Sequence, residues 1–88
     1  MDPLTIKDVR EGTLRYLYQH PGLALSLKSI ARAVRREGVE VADADLAQQL
    51  AVLTTGDLIA EVPDPTMPAV RSYQITAQGI THVETHLQ

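Results

Sequence analysis

Up to Gly56 most apolar residues of this chain recur every three or four positions; from Leu58 to Ile75 they alternate, in two short runs separated by three prolines. That change of period is the strongest constraint on the fold. A stripe near 3.6 residues belongs on a helix, and a period of two belongs on a half-buried strand. The runs are Leu58-Ile59-Ala60-Glu61-Val62 and Val70-Arg71-Ser72-Tyr73-Gln74-Ile75. In the second, Val70, Ser72 and Gln74 share one side, and Arg71, Tyr73 and Ile75 the other. Pro63-Asp64-Pro65-Thr66-Met67-Pro68 cannot pair as a central strand and reads as a stiff loop. Strand, short loop and strand predict a β-hairpin.

The helical part divides at its turn residues. Thr5-Ile6-Lys7-Asp8 has the spacing of a helix start with Thr5 as the cap, and Ile6, Val9, Thr13, Leu14 and Leu17 extend a first helix over about residues 5–19. Gly12 within it costs about 1 kcal/mol relative to Ala, which points to close backbone packing there. After His20-Pro21-Gly22, the run Leu23-Ala24-Leu25 suits one short strand. Ser26 caps a second helix of about 27–37, with its stripe at Leu27, Ile30, Ala31 and Val34 and Gly38 at its end. Asp43 is the expected cap of a third helix, about 44–55, built on Leu46, Leu50 and Leu53 with Ala47 and closed by Gly56. Thr76 caps the last helix, whose shared face is Ala77, Ile80, Val83 and Leu87.

The fold class is therefore α+β and mostly helical, in the order α-β-α-α-β-β-α, with a two- to three-stranded antiparallel sheet. Residues 1–88 read as a single domain. At this length a chain buries roughly 60% of its unfolded surface, so a partner subunit would add stability. With no Phe or Trp and three Tyr, the core suits packed helices, and few platforms exist for stacking on single-stranded nucleic acid.

Two helices joined by a brief turn and followed by a hairpin look like a winged helix-turn-helix. The telling residues are Leu53-x-x-Gly56-Asp57-Leu58-Ile59, then Tyr73-Gln74-Ile75-Thr76-Ala77-Gln78-Gly79. They resemble the "L-x-x-x-G-L-I … Y-x-I-T-x-x-G" signature of the MarR, PadR and ArsR-like winged-helix families over about residues 10–84, with Asp57 where those families usually carry Gly. The short layout is also similar to small phage-encoded proteins described as ArsR-like. The resemblance implies a transcription regulator that binds duplex DNA as a homodimer through its first and last helices. On physical grounds these signature residues are scaffold: Leu53, Leu58, Ile59, Tyr73 and Ile75 close the core, Thr76 caps, and Gly79 permits close packing.

Other function classes find little support. The absence of cysteine excludes disulfides and thiolate chemistry. No apolar run approaches the ~20 residues of a membrane span, and Met-Asp-Pro does not open a signal peptide, so a cytoplasmic protein is expected. There is no nucleophile motif and no Gly-rich phosphate loop, which argues against an enzyme and against any cofactor. His82 and His86 stand four apart, but two imidazoles are short of the three or four ligands zinc takes, and no metal site is expected. His20 reads as a loop residue.

Charge is distributed unevenly. Between Glu37 and Val70 there are seven acids and no Lys or Arg, within a net charge of −3. This stretch is the third helix and the wing, where such a fold would meet DNA. The outward positions of the third helix are expected at Asp43, Asp45, Gln48, Gln49, Val52 and Thr55. Gln48 and Gln49 suit adenine, while Asp43 and Asp45 would repel phosphates. The two aspartates equally serve as partners of the helix dipole, at ~0.3–1 kcal/mol. Cations gather instead on the second helix, at Lys28, Arg32, Arg35 and Arg36, the first, second and fourth at i, i+4 spacing. They suit phosphates, and equally suit pairing with Glu37, Glu40 or a neighbouring acidic helix. Arg71 is the cation of the wing. A second reading stands beside DNA binding: a protein-docking module using Asp43, Asp45 and the adaptable apolar tip Met67.

Overall fold

The computed structural model describes residues 1–87. Its elements run α1 (Pro3–Gln19), β1 (Leu25–Ser26), α2 (Leu27–Arg36), α3 (Asp43–Thr55), β2 (Ile59–Pro63), β3 (Arg71–Ile75) and α4 (Ala77–His82), which continues through Val83–Leu87 as a wider π-helical turn. The strands form one antiparallel sheet in the order β1-β3-β2. Tyr73 of β3 stands between Leu25 and Glu61, and Ile59 faces Ile75. Pro63 closes β2 opposite Arg71, at a strand end where its missing N–H costs no central ladder bond.

The stripes expected from the sequence meet in one core. Val9, Leu14 and Leu17 of α1, Ile30 and Val34 of α2, and Leu46, Leu50 and Leu53 of α3 are buried, and Ile59, Tyr73, Ile75 and Val83 complete the core from the sheet and last helix. Thr13 is fully buried and its hydroxyl donates to the Val9 carbonyl at 2.8 Å, so a polar side chain lies inside at no unpaired cost.

The helix starts differ from expectation in two places. Asp2, not Thr5, caps α1: its carboxylate accepts from the Thr5 N–H at 2.9 Å and the Thr5 hydroxyl at 3.1 Å. Pro3 sits just inside, in the first helical position where its lack of an N–H is harmless. The two bonds from Thr5, that to its backbone N–H foremost, hold the Asp2 carboxyl below its usual range. For α3 the cap is Ala42, with no side-chain cap bond, and Asp43 is already helical. Ser26 and Thr76 cap as expected, accepting from the N–H groups of Ser29 and Gly79 at 3.2 and 3.0 Å.

The junction between α3 and β2 explains the departure from the family pattern. Gly56 has an ordinary negative φ, and Asp57 carries the left-handed φ of +62°. The position where the families this chain resembles carry Gly is thus the one that wants it, and Asp is among the few residues that tolerate it. Thr76 then ties the junction down, donating to the Asp57 carbonyl at 2.5 Å while its N–H reaches the Leu58 carbonyl at 3.2 Å. Gly79 packs directly beneath, and a Cβ there would overlap the Leu58 carbonyl oxygen.

Candidate nucleic-acid interface

α2 leads into α3 through residues 37–42, with Gly38 at φ +90°. Arg35 braces this turn from inside. Its Nε and Nη2 donate to the Val41 carbonyl at 3.1 and 2.9 Å, and Nη2 also reaches the Asp43 carboxylate at 2.7 Å. Arg35 therefore differs from its neighbours on α2: its hydrogen-bonding edge is committed to the turn, and Asp43 is committed to Arg35. Of the two uses expected for the α2 cations, phosphate contact or pairing with a neighbouring acidic helix, Arg35 takes the second.

The remaining cations divide clearly. Arg10 donates to the Gln49 amide oxygen at 2.8 Å, Arg15 pairs with Glu37 at 3.2 Å and with Glu11 at 3.9 Å, and Arg71 pairs with Glu61 at 3.6 Å. Lys28, Arg32 and Arg36 are exposed and form no ion pair or side-chain hydrogen bond among the described residues, and the same holds for Lys7 on α1. Glu37, one expected partner of these cations, turns to Arg15 of α1 instead. At i, i+4 spacing the three line one edge of α2, rising about 6 Å from one to the next.

On α3 the outward face is Asp43, Ala44, Asp45, Gln48, Ala51, Val52 and Thr55. Gln49 is not part of it. It is 6% exposed and held by Arg10, so it points into the α1–α3 contact and is removed from the base-reading set. Gln48 remains as the one exposed amide. The wing is stiffened by its own residues: Asp64 accepts from the Thr66 hydroxyl at 2.8 Å and the Thr66 N–H at 2.9 Å, and these bonds hold its carboxyl below the usual range, the hydroxyl's foremost. Asp64 thus forms the turn, and Met67 beyond it is 57% exposed. Arg71 returns from the wing exposed beside Glu61.

His82 and His86 lie with ring centroids 4.8 Å apart, edge to face, and His82 is half-buried against α1 and α3. No group of three His, Asp or Glu among the described residues is placed to hold a metal. Glu84 is engaged elsewhere, accepting from the Tyr18 hydroxyl at 3.1 Å. No helix among the described residues is long and apolar enough to cross a membrane.

Helices α2 and α3 joined by a braced turn, with a stiff hairpin beside them, make this chain a winged helix-turn-helix domain. Solved structures bear this out. Staphylococcus aureus MepR in a complex with DNA superposes with a TM-score of 0.76 at 25% identity, over 90% of this chain and 60% of that one. The adhesin competence repressor AdcR of Streptococcus pyogenes gives 0.71 at 19% identity over 90% and 52%, and ZitR of Lactococcus lactis 0.72 at 16% over 93% and 56%. The chain thus spans between 52% and 60% of the length of these three. MepR is a transcription regulator of the multidrug efflux pump MepA, and AdcR is a repressor. No protein-family model and no curated protein sequence matches the chain.

Proposed function

We propose that this chain is a duplex-DNA-binding transcription regulator that grips phosphates with α2 and works as a homodimer. One observation carries the reading: Lys28, Arg32 and Arg36 form an exposed, unpaired line, while Arg10, Arg15, Arg35 and Arg71 are each engaged within the protein and Lys7 stands singly on α1. Unpaired cations in a row release counterions when they meet phosphates, and that release supplies most non-specific affinity. The first helix of a helix-turn-helix crosses the DNA backbone, which is where this line lies. The likeness to MepR in its DNA complex supports the same use. Gln48 faces base edges, and Arg71, beside Glu61, contributes less.

For the homodimer, support comes from α1 and α4. Leu4 on α1 is 74% exposed, and an apolar groove of about 640 Å³ runs between α1, α3 and α4, lined by Ile6, Leu14, Val52 and Leu58 among others. Titration of a labelled 25-base-pair duplex, followed by fluorescence anisotropy, tests DNA binding. The expected result is a Kd near the micromolar range at ~50 mM salt that weakens steeply by ~200 mM. Absence of binding at the lower salt, or indifference to salt, overturns the reading.

The docking alternative keeps two supports, the free Asp45 and the exposed Met67 on a rigid wing. Asp45→Lys separates the readings. It strengthens duplex binding if α3 faces phosphates, and leaves DNA untouched while abolishing a partner's capture if the face docks protein.

A further inference from the structure

A helix that enters the major groove without a single cation must read bases by other means. Guanine offers two acceptors there, N7 and O6, best met by Arg or Lys. None stands between Glu37 and Val70. Asp45, exposed one turn before Gln48 on the same side of α3, sets a carboxylate against such acceptors. Adenine offers a donor and an acceptor, which the Gln48 amide matches with both of its ends. Thymine adds a methyl group, which needs an apolar contact.

That contact exists beside Gln48. A groove of about 480 Å³ lies between the start of α2, α3 and the wing. Its apolar lining comes from Leu27, Ala47, Ala69 and Val70, and Lys28 supplies a free cation there beside Arg71, which Glu61 holds at 3.6 Å. Asp43, its one acid, is neutralised by Arg35 at 2.7 Å. A strand entering there meets positive charge at its phosphates and apolar carbon at its base edges. Ala47 is half-buried and Gln48 follows it about 100° round the helix, so the apolar groove and the exposed amide are adjacent on α3.

Resting on the reading that the chain binds duplex DNA, we infer that α3 selects A·T pairs in the major groove. Gln48 takes adenine through N6 and N7, and the thymine methyl settles on Ala47 and Val70. The chemistry predicts discrimination against G·C without a base-specific cation.

Three duplex polymers test this at ~100 mM salt: poly(dA-dT), poly(dA-dU), which lacks only the methyl, and poly(dG-dC). The expected order of affinity is dA-dT over dA-dU over dG-dC, with dA-dT ahead of dG-dC by about five- to a hundredfold. Gln48→Ala, an exposed change that leaves the core intact, should bring dA-dU and dG-dC to within about twofold of each other. Equal affinity of the unaltered protein for all three polymers overturns the inference and leaves DNA binding standing. So does an A·T preference that survives both methyl removal and Gln48→Ala, since it would come from minor-groove shape. Absence of binding to any polymer overturns the DNA reading and this inference together.

Discussion

Helix α2 and the segment that follows it, α3 with its wing, carry opposite charge for different structural reasons. On α2 the cations at positions 28, 32 and 36 lie along one edge without a partner, because Glu37 has turned to Arg15 on α1 and Asp43 is taken by Arg35. On α3 and the wing, three of the acids are used internally: Asp43 takes Arg35, Glu61 takes Arg71, and Asp64 shapes its own turn. One region has cations to spare; the other has paired two of its five acids, shaped a turn with a third and left Asp45 and Asp57 unpaired. A count of residues by sign would show five acids on α3 and the wing; their contacts leave fewer of them free, beside a positive edge on α2.

The sharpest way to break this comparison is to discharge α2. Replacing Lys28, Arg32 and Arg36 together by Gln removes three phosphate contacts per subunit and should weaken duplex binding roughly a hundredfold or more at ~100 mM salt. The fold should hold by circular dichroism, because all three side chains are exposed. Loss of less than about threefold would return the grip to α3 and the wing.

A smaller effect is expected where the two regions join. Arg35→Ala deletes both bonds to the Val41 carbonyl and should cost about 1–2 kcal/mol in urea unfolding, with the exposed pair to Asp43 adding little. It should also weaken DNA binding beyond the loss of one cation, because Asp43 is then released to face phosphates.

The smallest change sits at the base of the wing. Asp57→Gly relieves the left-handed backbone and, net of the added freedom of the unfolded glycine, should stabilise by about 0.5–1 kcal/mol. Thermal unfolding would show it, and duplex affinity should not change, since the site supports the wing without touching DNA.

Much of the scaffold could be read in advance because it rests on local rules. The stripes at Leu46, Leu50 and Leu53, the cap at Thr76 and the turn at Gly38 each follow from spacing or backbone chemistry. What escaped was long-range pairing. Gln49 was placed outward for its polarity, although it lies three residues after Leu46 and four before Leu53, on the buried side. Its partner Arg10 is 39 positions away and invisible to any local window. The α1 cap slipped by one turn because Asp2-x-x-Thr5 and Thr5-x-x-Asp8 both have cap spacing; Pro3 was the residue that separated them. Arg35 stood off the 28-32-36 line in the sequence, but only the turn's geometry shows where its donors go.

The central claim, that α2 and not the wing tip holds the DNA backbone, is tested most directly by titrating ¹⁵N-labelled protein with a short duplex and mapping the amide shifts. The account predicts the largest changes along Lys28–Arg36, a second group around Gln48, and little movement from Asp64 to Pro68. Shifts concentrated in the wing tip and the first turn of α3, with α2 silent, would contradict it.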